Sequence, residues 1–511
     1  MSDPGSTPAR LTLDSAFGVG AVNPRLYGSF VEQMGRGVYS GIYEPGHPAA
    51  DTEGLRQDVL DLIRELGVTT VRYPGGNFVS GHRWEDSVGP REQRPVRLDL
   101  AWKATETNEF GLGEFMDFCR KTGVEPMMAV NLGTRGVEDA VRLLEYANHP
   151  GGTELSDLRA AHGSKEPYDI RMWCLGNEMD GTWQIGHKTA EEYGRLAAET
   201  ARAMRMIRPD LELVACGSSA SFMPHFGAWE ATVLEAAYDQ VDHISLHAYY
   251  EEEDGDRDSF LASAVDMEHF IESVVATCDH VRARLKQTRR IDLSFDEWNV
   301  WYQRRSAAAA SEAPLTWDKA PRLLEDNYSV TDAVVVGTLL ITLLRHADRV
   351  TAASLAQLVN VIAPIMTEPG GPAWRQTTFF PFAQASRHGR GRVLRVEPDS
   401  PLHSTAKFGE VPLLHATAVT DDETGDVTVF AVNRGQLAAL PLEIDLRGVT
   451  AHTLAEHLVL ADADPDATNT ADRPDRVTPH PATGTTVTDG RLTAVLEPLS
   501  WNMIRLVRQG N

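Results

Sequence analysis

One pattern constrains this 511-residue chain more than any other: short apolar, strand-like runs alternate with helical stretches over about 330 residues. The eight runs are Leu26–Phe30, Val68–Tyr73, Pro126–Val130, Asp169–Leu175, Leu211–Ala215, His243–His247, Ile291–Phe295 and Ala353–Gln357. Helical periodicity marks Leu55–Leu66, Gly113–Lys121, Val137–Ala147, Ala190–Ile207, Trp229–Tyr238, Met267–Leu285 and Ala333–Leu344. Strands that alternate with helices form parallel sheets, because parallel neighbours need a long crossover. Eight such units predict a closed (β/α)₈ TIM barrel of the α/β class rather than an open sheet. The runs are hydrophobic at nearly every position, as strands covered on both faces must be. No GxGxxG follows the first strand, which weighs against a dinucleotide-binding sheet.

Helical periodicity fades after about residue 380. Short alternating runs replace it: His415–Thr420, Val427–Val432, Leu440–Leu446, Leu454–Leu460, Arg491–Leu496 and Trp501–Val507. Evenly spaced short strands separated by turn residues predict an all-β, jelly-roll-like sandwich. The alternating segment Arg10–Leu13 has no partner in the barrel pattern and is expected to join that sandwich. The expected domains are an N-terminal strand at 1–20, a catalytic barrel at 21–378 and a C-terminal sandwich at 379–511. The run Asp462-Ala-Asp464-Pro-Asp466 lacks the central glycine and closing glutamate of a calcium loop and reads as a solvated loop.

Charge narrows the function. Acidic residues number 73 against 48 basic ones, a net −25, so neither nucleic acid nor an anionic membrane is an expected partner. A neutral substrate such as a sugar suits this balance. Cys119, Cys174, Cys216 and Cys278 form no CxxC pair and have no histidine at metal-ligand spacing. They read as small core side chains in a reducing compartment. The N-terminal Met-Ser-Asp-Pro-Gly-Ser-Thr-Pro-Ala-Arg has no signal-peptide core, and Ala333–Leu344 is too short to span a bilayer. A cytoplasmic protein is expected, with no cofactor and no metal.

Two of the strands end alike. Arg171-Met-Trp-Cys-Leu-Gly-Asn177-Glu178 and Ile291-Asp-Leu-Ser-Phe-Asp296-Glu297-Trp298 are apolar runs that close on a carboxylate. Barrel enzymes place their chemistry where the strands leave the barrel at its C-terminal face. Retaining glycoside hydrolysis needs one carboxyl group to protonate the departing oxygen and a second, about 5–5.5 Å away, to attack the anomeric carbon. Glu178 and Glu297 are 119 residues apart in sequence, and a closed barrel returns both to one rim. Alone, a glutamate after a strand is commonly a solvated rim residue; the pair inside an eightfold pattern favours catalysis. On spacing alone, Asn177 could bond a sugar hydroxyl or cap its loop, and Trp298 and Trp301 could face a sugar or simply pack. Arg72 by itself reads as a structural ion pair, His247 as a core histidine and Glu32 as a loop charge.

These residues lie in longer stretches: Tyr27-Gly-Ser-Phe-Val-Glu32, Arg72-Tyr-Pro-Gly-Gly-Asn77, Cys174-Leu-Gly-Asn-Glu-Met179, Ser245-Leu-His-Ala-Tyr249, Asp296-Glu-Trp-Asn-Val-Trp301 and Leu355-Ala-Gln-Leu-Val-Asn360. In them the chain resembles the α-L-arabinofuranosidases of glycoside hydrolase family 51, through most of the barrel and less distinctively in the sandwich. The resemblance implies a retaining exo-glycosidase that releases terminal α-L-arabinofuranosyl residues from arabinoxylan- or arabinan-derived oligosaccharides through a covalent glycosyl-enzyme. It implies Glu178 as general acid/base and Glu297 as nucleophile. Glu32, Asn77, Asn177 and Gln357 would bind ring hydroxyls, and Tyr249 would hydrogen-bond the nucleophile. Trp102 and Trp301 would line the substrate site, and Arg72 and His247 would orient the carboxylates. A homo-oligomer is expected on the same ground, since relatives are often hexamers. Gln33 and Gly37 depart from the His and Cys common in relatives, a difference that bears on the glycone side. The alternative on this framework is β-xylosidase or endoglucanase activity. A sugar-binding protein with a degenerate barrel is disfavoured by the presence of both glutamates, and a metal-dependent hydrolase by the lack of an HxH or carboxylate cluster at a strand end.

Overall fold

The computed structural model describes residues 7–306, 315–449 and 451–508, so residues 1–6 of the N-terminus read above lie outside it. Eight strands close into a barrel: β1 (Gly28–Phe30), β2 (Thr70–Tyr73), β3 (Glu125–Ala129), β4 (Met172–Leu175), β5 (Glu212–Ala215), β6 (His243–Tyr250), β7 (Asp292–Val300) and β8 (Val350–Leu355). Each pairs in parallel with its neighbour in chain order, and β8 returns to β1 with Ser354 opposite Gly28. Helices Gln57–Leu66, Leu112–Thr122, Val137–Asn148, Ala190–Ile207, Ala228–Ala237, Ala264–Leu285, Val330–Arg345 and Phe379–His388 follow the strands in turn. The alternation therefore predicts the architecture correctly. Thr189 begins the helix Ala190–Ile207 by accepting the Glu192 N–H on its side chain, and Gly67 ends the helix Gln57–Leu66 at φ +79°.

β6 and β7 extend well past the apolar runs that mark them in the sequence, to Tyr250 and Val300. Their polar tips stay in the ladder but with irregular register, which shifts between Ser245 and His247 and again between Phe295 and Trp298. Bulges re-aim side chains. A regular pleat points consecutive residues to opposite faces, yet here Asp296 and Glu297 both reach Arg72.

The C-terminal region is a sandwich of two sheets. The larger runs Gly18–Ala21, Arg392–Leu394, Leu414–Thr420, Val427–Asn433, Ser500–Arg508, His452–Leu460 and His480–Pro481. The smaller runs Ala9–Thr12, Leu440–Asp445, Arg491–Leu496 and Thr486–Thr488. Leu11, Ile444, Leu492, Val429 and Ile504 meet in one apolar core between them. Ala9–Thr12 joins the sandwich as expected, parallel to Leu440–Asp445 with Leu11 opposite Ile444.

The helix Val330–Arg345 explains the longest apolar run. It is buried from Val330 to Leu344, between the helix Ala264–Leu285 and β7 on one side and sandwich strands on the other. A helix covered all round is apolar all round. No helix among the described residues is long and apolar enough to cross a membrane. At its middle, Gly337 makes room for Trp501: a Cβ there would stand 2.5 Å from the ring's Cε3. The ring is held by stacking on Phe430 and by donating from Nε1 to Gln384 at 2.6 Å. Alanine is favoured over glycine by about 1 kcal/mol in an open helix, but overpacking costs about 1–3 kcal/mol. Gly337→Ala is therefore expected to lower the urea midpoint of unfolding; an equal or higher midpoint would mean that the ring yields freely.

Candidate active site

The C-terminal ends of the barrel strands surround a cavity of about 310 Å³. Glu32, Asn77, Trp102, Glu178, Tyr249, Glu297, Trp301 and Gln357 all line it. Asn177, Arg72 and His247 are buried directly behind these residues. Trp298, one of the two indoles considered as a sugar platform, is wholly buried on β7 and does not reach the cavity. Trp301, beyond the end of β7, does, packed edge-on against Tyr249 at 5.0 Å between ring centres. Gln33 also points away from the cavity, donating to the Tyr73 hydroxyl at 2.7 Å.

Four strands contribute to one buried polar network. Arg72, from β2, donates to Glu297 Oε1 at 2.9 Å and to Asn177 Oδ1 at 2.7 Å, with its Nε 3.6 Å from Asp296. Tyr249, from β6, donates its hydroxyl to Glu297 Oε2 at 2.6 Å. Both oxygens of Glu297 are thus held by donors on opposite sides. Burial, and then the Glu297 charge, raise the Tyr249 hydroxyl well above its ordinary range, so it remains a donor. His247 bridges the remaining carboxyls, with Nδ1 2.9 Å from Glu178 Oε1 and Nε2 2.9 Å from Asp296 Oδ1. Burial alone would disfavour its charge, but Glu297, Asp296 and Glu178 outweigh that and lift His247 well above its usual pKa. Burial works against the Asp296 charge too, and here the Arg72 guanidinium and His247 prevail, holding it below the usual carboxylate range.

Glu178 lies beyond the end of β4, after Gly176 at φ +97°, and its own φ is +43°. A non-glycine residue in this left-handed region costs on the order of 1–3 kcal/mol, a strain met mainly at functional sites. Its Oε2 accepts from Trp183 Nε1 at 2.5 Å. Burial, and then the nearby Glu297 charge, push the Glu178 carboxyl above its ordinary range against the hydrogen bonds from His247 and Trp183. Glu178 is the group suited to carry a proton beside a carboxylate partner.

The deep end of the cavity is built on Glu32, which accepts from Phe78 N at 2.9 Å, Trp102 Nε1 at 2.6 Å and Gln357 Nε2 at 3.1 Å. Burial pushes its pKa up to about 8 despite those donors. Gly76, at φ +41°, is required here: a Cβ would run into the Glu32 carboxyl. Asn299 on β7 donates to the carbonyls of Ala356 and Ile362, each at 2.5 Å, and so fixes the loop that carries Gln357.

Glu178, His247 and Glu297 offer three donor atoms within 4.8 Å of one another. That spacing could suit a cation, but an imidazolium that uses both N–H groups on carboxylates has no lone pair to give. Sequence reasoning missed Trp183, Asn299 and the role of Asp296. The adjacent carboxylates Asp296 and Glu297 inside a buried strand are the one signal available beforehand, since such a pair requires buried cations nearby. Nothing local marks Trp183, which reaches Glu178 only through the turn after β4.

Comparison with known proteins agrees with this geometry. Residues 62–269 match the family model described as "Alpha-L-arabinofuranosidase 1 domain", and residues 296–500 match "Alpha-L-arabinofuranosidase C-terminal domain". An "Intracellular exo-alpha-(1->5)-L-arabinofuranosidase" of Streptomyces lividans is 72% identical over 499 residues, covering 97% of this chain and 75% of the relative. An "Exo-alpha-(1->6)-L-arabinofuranosidase" of Bifidobacterium longum is 55% identical over 509 residues, covering 98% and 97%. The solved structure of a family 51 α-L-arabinofuranosidase from Bifidobacterium longum superposes with a TM-score of 0.94 at 50% identity, covering 98% of this chain and all of that one. The chain belongs to the α-L-arabinofuranosidases of glycoside hydrolase family 51.

Proposed function

We propose that the protein is a retaining exo-α-L-arabinofuranosidase that removes terminal arabinofuranosyl residues from arabinan- or arabinoxylan-derived oligosaccharides. The observation that carries this reading is the approach of the Glu178 and Glu297 carboxyls, with oxygens within 4.8 Å, across a single cavity. Retaining enzymes hold their carboxyls about 5–5.5 Å apart, and inverting ones 6.5–9.5 Å to admit a water. Glu178, protonated, gives its proton to the bridging oxygen while Glu297 attacks the anomeric carbon and forms the glycosyl-enzyme. Glu178 then takes a proton from the water that displaces Glu297, and arabinose leaves with its configuration retained. Glu32, Asn77 and Gln357 hold the ring hydroxyls, Asn177 supports Asn77 from behind by donating to its Oδ1 at 3.4 Å, and Trp102 and Trp301 close the walls. Arg72 and Tyr249 orient the nucleophile; His247 orients the acid.

The two relatives make α-(1→5) and α-(1→6) bonds the first linkages to compare, and the intracellular enzyme of Streptomyces lividans supports work inside the cell. Assembly into a homo-oligomer belongs to the same proposal. Val96, Leu98 and Leu100 are exposed around the hairpin that carries Trp102, and they offer apolar surface to such an interface. β-Xylosidase or endoglucanase activity is not favoured by any feature of the site.

Glu297→Ala is expected to lower turnover of a nitrophenyl arabinofuranoside by at least about 10⁴-fold. Azide should restore activity with an inverted arabinosyl azide as product; near-normal turnover without azide would remove Glu297 from the role. Glu178→Ala should cost about 10²–10⁴-fold on natural linkages and far less on leaving groups that depart without a proton. Equal losses on both substrates would contradict the assignment.

The alkaline limb of kcat/KM should report the free Glu178 carboxyl. Activity requires its proton and falls as pH rises through its pKa. Trp183 donates to Glu178 and so favours the ionised form. Removing that donor in Trp183→Phe raises the pKa further and should move the alkaline limb to higher pH. A limb that stays in place, or moves down, would mean that another group sets it.

A further inference from the structure

A second, larger cavity of about 600 Å³ opens beside the catalytic one. The two share Ala220, Phe222, Tyr249, Trp301 and Gln303, so together they form one trough leading away from Glu178 and Glu297. Its far wall does not come from the barrel. The sandwich domain sends out a hairpin, Leu402–Thr405 paired with Gly409–Pro412, whose turn residues Lys407 and Phe408 line the cavity. The hairpin is pinned to the barrel where Lys407 N donates to Ser259 Oγ at 3.0 Å, and its turn is closed by Phe408 N donating to Thr405 Oγ1 at 3.0 Å.

The chemistry of the walls identifies the occupant. Phe222, at the junction of the two cavities, leaves 79% of its surface exposed, although an aromatic ring gains by being covered. Carboxyl groups of Glu251, Glu253, Asp256 and Asp266 line the trough, and among the described residues Lys407 is its one lining cation. Arg304 pairs with Glu253 at 2.8 Å, which leaves the surface net acidic. Acceptor-rich walls interspersed with aromatic rings suit polyhydroxylated, uncharged chains and repel anionic ones.

We propose that this trough binds the leaving-group portion of the substrate as a run of neutral sugar units, reaching from Trp301 and Phe222 to Phe408 on the sandwich hairpin. The sandwich domain then contributes directly to substrate length preference. The inference rests on the arabinofuranosidase reading above, and the two are tested separately by substrates that do or do not extend past the mouth of the trough.

A nitrophenyl arabinofuranoside places its ring only at the mouth of the trough, by Trp301 and Phe222, and stops short of Glu253 and Phe408; neutral linear arabino-oligosaccharides of two to four units extend progressively toward the hairpin. The parent enzyme is expected to gain roughly fivefold to tenfold in kcat/KM between the dimer and the tetramer, the size of one or two modest contacts. Phe408→Ala and Glu253→Gln should each erase most of that gain while leaving nitrophenyl hydrolysis within about twofold of the parent. No gain with length in the parent overturns the proposal, as does a full gain retained by both variants. Equal losses on the nitrophenyl substrate and the tetramer in both variants also overturn it, because the defect would then be general. Failure of the parent to cleave the nitrophenyl arabinofuranoside would remove the underlying function, and this inference with it.

Discussion

The buried guanidinium of Arg72, facing Asp296 and Glu297 at once, is the interaction around which the rest of the site is arranged. An isolated charge in a protein interior costs several kcal/mol even after relaxation, and pairing offsets that only when geometry is good and spare donors and acceptors are satisfied. Here Arg72 and His247 alternate with Asp296 and Glu297, while Asn177 and Tyr249 occupy the remaining hydrogen-bonding positions. No two of these strands could shift by a residue without stranding a charge. The network therefore depends on a closed barrel, which returns residues 72, 177, 247 and 297 to one rim, and in turn it holds that rim in register.

The bulges on β6 and β7 are the local means to this end. A regular strand would offer either Asp296 or Glu297 to the barrel axis, and one carboxylate is too few for the two cations beside it. With the register shifted, both turn toward Arg72 and the strand continues through Val300. Continuation matters because Asn299 then reaches the loop after β8 and fixes Gln357, which in turn donates to Glu32. Glu297 and the Glu32 part of the cavity are connected through one strand.

Most of the fold was legible because its physics is periodic. Strands covered on both faces must be apolar throughout, and the amphipathic helices between them repeat at their own period, so eight units stand out in the sequence. The ends of β6 and β7 were not legible, since their last residues are polar for reasons that lie 49 to 225 positions away in the chain. The hairpin Arg97–Asp99/Ala104–Glu106 and the sandwich hairpin at 402–412 were missed for a related reason: short edge strands with exposed side chains carry little pattern. Glu178 and Glu297 could be found from their positions at strand ends. Arg72, His247 and Glu32 came only through resemblance, because an arginine, a histidine and a glutamate in apolar surroundings have commoner explanations. For Trp298 the sequence leaves a sugar face and simple packing both open, and it packs: alternation is suspended at the bulge, and the ring points into the core.

The two carboxyls differ in ways that fit different tasks. Glu297 lies inside a hydrogen-bonded strand with a donor on each oxygen, so its side chain has little freedom. A nucleophile benefits from that fixity, since attack needs the reacting atoms aligned near van der Waals contact. Glu178 stands beyond its strand in a strained backbone conformation, touched by one buried imidazole and by an indole that is half exposed. A group that gives up a proton in one step and takes one from water in the next must face both the bridging oxygen and solvent, and the turn after β4 gives it that position. Exchange of the two environments would leave a pinned acid with no route to water and a nucleophile without its two donors. The proposed division of labour therefore follows from where each strand ends relative to its glutamate, rather than from the identity of the side chains.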